Sequence, residues 1–176
     1  MSQGVKIEGF IFKKTSLLNR DLIITIFCRE FGRIRIFAKG IKKLTSRRSP
    51  HIETGNLIKA VLSKNKDYYF LQETDLISGF SQIKKNQSKF QCLYLFLFIL
   101  EKLLPENQKE EKMYKLFKSF MISLSKRDDY KVIMTDYFNK TASLLGYQER
   151  DKDKDLIEIT AFIEEIINEK LPAFNI

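Results

Sequence analysis

The hydrophobic period changes once along this chain, and that change limits what it can fold into. Up to about residue 75 the apolar positions recur every second residue. Val5, Ile7, Gly9 and Ile11 alternate with Lys6, Glu8, Phe10 and Phe12. Period two puts one set of side chains on each face of a strand. From about residue 82 the period is helical. Phe90, Leu93, Tyr94, Leu97, Leu100 and Leu104 form one stripe, and Cys92, Leu95, Phe96, Ile99 and Leu103 a second. A β part followed by an α part is the expectation, divided as residues 1–78 and 79–176.

Five strands fit the first part. NRDLIITIFCRE (19–30) is apolar on both faces, as in a closed barrel or beneath a covering helix. Phe31-Gly32 makes a short turn. In GRIRIFAKG (32–40), Ile34 and Ile36 take one face and Arg33 and Arg35 the other. NLIKAVLS (56–63) and DYYFLQET (67–74) alternate in the same way. For about 75 residues a five-stranded OB-type barrel fits best; an SH3-like barrel is the alternative.

In the second part, a helix apolar on two faces is a central one, and Pro105 ends it. Met113, Leu116, Phe117, Phe120, Met121 and Leu124 mark a one-faced helix. Asp128 or Asp129 is placed to cap the next, which carries Ile133, Tyr137, Phe138 and Leu145 and stops at Gly146. RDKDKD (150–155) reads as a solvated linker. A last helix holds Ile159, Phe162, Ile163, Ile166 and Ile167 and stops near Pro172.

Charge follows the same division. The net charge is +9, of which residues 1–80 hold +8 and residues 81–176 only +1. A polyanionic partner for the first part is implied. Between Arg33 and Arg48 stand seven cations and no acid: Arg33, Arg35, Lys39, Lys42, Lys43, Arg47 and Arg48. Phosphate binding needs several cations on one surface, since each neutralised phosphate releases counterions. Phe10, Phe12, Phe37, Tyr68 and Tyr69 are the nearby aromatics for base stacking, although each taken singly reads first as core.

Catalytic and metal signals are missing, so no enzyme and no cofactor are expected. His51 is the one histidine and reads as a surface residue, and no Gly-rich phosphate loop occurs. Two cysteines, Cys28 and Cys92, cannot build a four-thiolate zinc site and read as reduced core residues. Asp151, Asp153 and Asp155 begin like a calcium loop, but Leu156 and Phe162 stand where its Gly and final Glu belong. The longest apolar run, Cys92–Leu100, is too short for a bilayer span of about 20 residues. No membrane association is expected, and a cytoplasmic, nucleoid-associated location is.

The ordered set of motifs resembles a known family. EGFIFKK (8–14), DLIITIFCREFGRIRIFAKGIKK (21–43) and Ser46-Arg47-Arg48 are similar to the N-terminal domain of the repair and recombination protein RecO. Glu8-Gly9, Thr25-x-Phe27, Arg29-Glu30-x-Gly32 and Ala38-Lys39-Gly40 carry most of the likeness. LQETDLISGF (71–80), LEKLLPE (100–106) and LLGYQ (144–148) are similar to later landmarks. The likeness runs over about residues 4–148 and more weakly over 156–176.

The resemblance implies an OB fold on a helical domain, and binding to single- and double-stranded DNA. It also implies annealing of complementary strands, and work with RecR to load RecA onto DNA coated by single-stranded DNA-binding protein. Arg33, Lys39, Lys42, Lys43 and Arg48 are the DNA-binding positions it carries over. It further implies docking of that coating protein's acidic C-terminal tail on the helical part, where Lys112, Met113, Lys115 and Leu116 combine apolar and cationic groups. The chain departs from the family at RDKDKD, where many members have a four-cysteine zinc module, and at Leu22, where a basic residue is expected. Two rivals remain open at this level: an OB-type RNA-binding protein, and a scaffold whose basic run only solubilises the barrel.

Overall fold

The computed structural model describes residues 4–17, 21–40, 49–149 and 152–173. Five strands, β1 (Val5–Ser16), β2 (Leu22–Cys28), β3 (Gly32–Ala38), β4 (Leu57–Asn65) and β5 (Tyr68–Ser78), close into a barrel in the order β1-β2-β3-β5-β4. β1 is long enough to serve two neighbours. Its first half pairs β4 from Val5↔Leu62 to Phe10↔Leu57, and its second half pairs β2 down to Ser16↔Leu22. A register shift between Ile11 and Lys13 marks the bulge between those halves; bulges bend and twist a strand, as closure requires. Gly9 permits the close approach at that bend, because a Cβ there would lie 2.8 Å from both Ile26 and the Phe27 carbonyl. β3 and β5 complete the ring as a parallel pair. This is the OB-type barrel, not the SH3-like alternative.

The period-two residues behave as expected inside the ring. Ile7, Ile11, Ile24, Ile26, Ile34 and Ile36 are all at most 3% exposed and form the barrel core. β2 is shorter than its apolar run, because Arg29, Glu30 and Phe31 turn into β3. β5 is longer than its alternation. Its end, with Leu76 and Ile77 exposed, still pairs with β4 across a second register shift.

The second compact unit consists of residues 80–104 and 112–176. Relative to a single cut after residue 78, the strap Pro105–Glu111 is exchanged to the barrel unit. The helices are α1 (Ser81–Lys84), α2 (Gln87–Leu103), α3 (Glu111–Lys126), α4 (Tyr130–Leu144) and α5 (Leu156–Ile167). α2 is central: Cys92, Leu93, Phe96, Leu97, Ile99 and Leu100 are buried around its circumference, while Tyr94 from the first stripe is exposed. Phe96 packs edge-on against Phe117 and Phe120 of α3 and tilted against Phe138 of α4, at 4.6–5.6 Å.

The caps depart from expectation in detail. Asp129 stands at the α4 N-cap position, but its side chain makes no cap hydrogen bond. It accepts hydrogen bonds from Arg127 Nε and Nη2 instead, and that partner holds its carboxyl below the usual range. Asp128 reaches the largely buried Lys89 at 2.9 Å. Asp155, part of the calcium-like run, caps α5 in a reciprocal box with Glu158.

The chain after α4 is held by one buried amide. Asn139 is 3% exposed. Its nitrogen donates to the carbonyls of Thr135 (2.9 Å) and Lys154 (2.8 Å). Its oxygen accepts from Gln148 Nε2 and from the Lys154 backbone N–H, both at 2.9 Å. The side chain is fully satisfied and fixes Gln148 and Lys154 against α4. Replacing it leaves buried peptide groups unpaired, at about 1–3 kcal/mol each. Asn139→Leu is therefore expected to cost about 2–3 kcal/mol, read as a lower urea midpoint of the helical circular-dichroism signal at unchanged slope.

Candidate nucleic-acid interface

β3 alternates cleanly. Ile34 and Ile36 point into the barrel, and Arg33, Arg35 and Phe37 point outward. On β5, Tyr69 packs against the core and stacks on Phe31 at 5.8 Å. The opposite parity therefore turns Tyr68 and Phe70 outward. The pair Phe37↔Phe70 brings the two outer rows together. The rings of Phe37 and Phe70 stack at 5.5 Å, and Tyr68 meets Phe37 edge-on at 5.6 Å. Tyr68 is 58% exposed, just past the two-residue turn Lys66–Asp67. Lys39 sits with its Nζ 5.1 Å from the Phe70 ring centre. One outer face thus carries guanidinium groups, three clustered rings and an ammonium.

The basic connection leaves this face from pinned ends. At its start, Gly40 N–H donates to the Asp21 carboxylate at 2.7 Å. At its far end, the buried Asn56 donates to the Pro50 and His51 carbonyls. His51 itself lies 2.9 Å from Thr74 Oγ1, so it is bonded to β5.

The expected site residues divide as follows. Arg33, Arg35 and Lys39 do share the β3 face and its exit. Lys42, Lys43, Arg47 and Arg48 lie outside the described residues. The run has no acid within it, yet it is not uncompensated. Glu106, from the strap, places Oε1 2.6 Å from Arg35 and 3.4 Å from Arg33. Two proposed stacking residues are excluded: Phe10 and Phe12 are 0% and 5% exposed. Tyr69 turns toward the core and is half-buried there, with Lys64 Nζ 5.6 Å from its ring centre. Phe70 was missed, although the parity of Tyr68, Phe70 and Gln72 points to it. Leu22, at the position where a base is expected, is barrel core.

On the helical unit, Lys112 and Lys115 are exposed and Leu116 is half-buried. Met113 is 1% exposed and belongs to the core, so it offers no docking surface. Lys112, Lys115 and Leu116 line a groove of about 640 Å³ together with Lys140 and Leu144 of α4, and with two acids, Asp153 and the Asp136 that lies 2.7 Å from Lys140 Nζ. Lys140 and Leu144 sit on another helix and were invisible to a reading of α3 alone. A second groove, on the barrel, sets Lys6, Arg29 and Lys59 against Glu8, Glu30, Glu73 and Asp75, a balance that does not favour a polyanion.

The described residues hold no cluster of three or more His, Cys, Asp or Glu side chains arranged for a metal ion. No helix among them is long and apolar enough to cross a membrane. Cys28 and Cys92 are buried free thiols in separate units. Burial pushes them up to about 11 and about 12.

An OB-type barrel that joins clustered rings to cations on one outer face has the build of an oligonucleotide-binding module. Comparison with known proteins narrows this class. Residues 1–80 match the family model described as recombination protein O N terminal. The chain is 28% identical over 144 residues to the DNA repair protein RecO of Thermoanaerobacter sp. (strain X514), covering 81% of this chain and 58% of that protein. It is 26% identical, with the same coverage, to the RecO of Caldanaerobacter subterraneus subsp. tengcongensis. It is 28% identical over 160 residues to the RecO of Listeria innocua serovar 6a, covering 84% and 58%. The chain is RecO-like, and it spans less than two thirds of the length of the curated relatives it matches.

The thiols give a direct check on the barrel and helical cores. Both are protonated near neutrality, and the thiolate is the reactive form. Ellman's reagent at pH 7.5 should find no reactive cysteine in the native protein and two after denaturation. The folded values lie above the ordinary 9.0. Their contribution to stability is therefore complete below about pH 9 and is lost as pH rises through about 11 and about 12.

Proposed function

We propose that this chain is a non-enzymatic, DNA-binding mediator of recombinational repair. The observation that carries the reading is the outer face of β3 and β5. There Lys39 lies against Phe70 in the Phe37–Phe70–Tyr68 cluster, beside the two arginines and at the root of the basic connection. Stacking on such rings is worth about 1–3 kcal/mol per base and is indifferent to sequence. Phosphates are held by the cations, and the base edges stay free to pair. A surface that lowers repulsion between two polyanions and leaves their edges open promotes annealing. Single- and double-stranded DNA are the substrates, with Lys42, Lys43, Arg47 and Arg48 extending the phosphate contacts.

The likeness to RecO supports partnership with RecR and loading of RecA on coated DNA. It also supports docking of the acidic tail of single-stranded DNA-binding protein in the helical groove. There Lys112, Lys115 and Lys140 meet the carboxylates, while Leu116 and Leu144 meet the terminal aromatic ring.

Two measurements test these assignments. With about four to six phosphates contacted, log K for single-stranded DNA should fall against log salt with a slope of about −3 to −4. Lys42→Glu with Lys43→Glu should weaken binding and flatten that slope; a slope near zero in the parent protein contradicts DNA binding, and tighter binding to a matched RNA favours an RNA ligand. A tail peptide should bind the full chain and lose affinity on removal of its terminal Phe or on Lys115→Glu with Lys140→Glu. Binding that ignores those changes places the tail elsewhere.

A further inference from the structure

Arg33 and Arg35 point outward from β3, and neither stands alone. We infer that Glu106 occupies a phosphate seat formed by these two arginines, and that a nucleic-acid phosphate binds there by taking its place. The inference rests on the nucleic-acid reading above and adds a named seat and an internal competitor to it.

The strap Pro105–Glu111 is built to lie along β3. Asn107 N–H donates to the Arg33 carbonyl at 2.8 Å, and Arg33 and Glu106 form a parallel bridge. At Gly32, where φ is +73°, a Cβ would stand 1.8 Å from the Gln108 carbonyl oxygen, so only glycine admits the strap. The strap carries three carboxylates and one lysine. Glu110 accepts from the Gln108 amide at 2.8 Å, and Glu111 lies 3.6 Å from Lys109. Glu106 is turned toward β3, and one of its oxygens serves both guanidinium groups.

The burial of the three groups explains why an anion belongs there and why this one can leave. The Arg33 side chain is only 12% exposed. A guanidinium so far out of water needs an anion beside it whether or not ligand is present. Glu106 is 31% and Arg35 62% exposed, so incoming ligand can reach both. The Arg35–Glu106 contact is largely open to water, and an ion pair so exposed is held weakly enough to be exchanged. A phosphodiester oxygen offers the same guanidinium groups charge-assisted bonds and releases counterions as it binds. The strap thus keeps the seat charged and ordered in free protein and taxes every binding event. The result is a weaker, more readily reversed hold on nucleic acid, which suits strands that must be released after pairing.

The test uses the full chain, a labelled oligothymidylate and a salt series read by fluorescence anisotropy. Glu106→Gln should tighten binding about two- to fivefold at low salt. It should also steepen the log–log slope by about 0.7, one further phosphate neutralised. Asn107→Pro leaves every charge in place but cannot adopt the φ of +59° found there, so it frees the strap and should shift affinity the same way. If Glu106→Gln does not fold, Asn107→Pro carries the test. The gain must vanish in an Arg35→Ala background, since it acts through that side chain. Unchanged or weaker binding by folded variants overturns the inference while DNA binding by the parent stands. A gain of equal size without Arg35 also overturns it, by showing only a long-range field effect. A parent protein without salt-sensitive binding removes the nucleic-acid reading and the inference with it.

Discussion

The barrel closes through a short parallel contact. β3 and β5 meet at Ile36↔Tyr69 and Phe37↔Phe70. Strand parity lets those two pairs serve both sides of the wall. Ile36 and Tyr69 face the core, where burial of apolar area favours closure. Phe37 and Phe70 face outward and stack on each other. Closing the ring therefore builds the aromatic platform, and no separate element is needed to present it. Toward the start of β3, where no β5 pairing is found, the strap bonds to Arg33 and brings Glu106 to the arginines.

This arrangement ties electrostatics to topology. The excess of cations lies on the barrel half of the sequence, and the connection that carries Lys42, Lys43, Arg47 and Arg48 leaves β3 beside the rings. Asp21 and Asn56 fix where that connection starts and ends. Residues 81–176 carry a net charge of only +1, and the groove of the helical unit sets three lysines and two acids around Leu116 and Leu144. In the proposed function, a polyanion and an acidic, aromatic-ended peptide call on two separate surfaces of one chain.

Much of this was legible in the sequence, for a physical reason in each case. Period two fixes strand parity, so the opposite fates of Ile34 and Arg35 follow from their spacing alone. The helical stripes located α2 and α3, and the five-strand count with close turns led to the OB-type barrel. What failed were readings that needed a partner distant along the chain. Glu106 lies about seventy residues from the arginines it neutralises, so a local tally of charge could not find it. Phe10 and Phe12 alternate as correctly as Phe37 does, but period two does not say whether an outer face is covered. Met113 belongs to the same apolar stripe as Phe117 and follows it into the core. Asp129 occupies the cap position and gives its carboxylate to Arg127, a choice between two nearby donors that spacing does not decide.

The central claim is that nucleic acid lies across the outer face of β3 and β5. Hydrogen–deuterium exchange of the full chain, with and without oligothymidylate, tests it most directly. Ligand should slow exchange in peptides covering residues 33–48 and 64–72 and leave α4 and α5 unchanged. Protection confined to the helices, with none at β3 or the turn before Tyr68, would contradict the account.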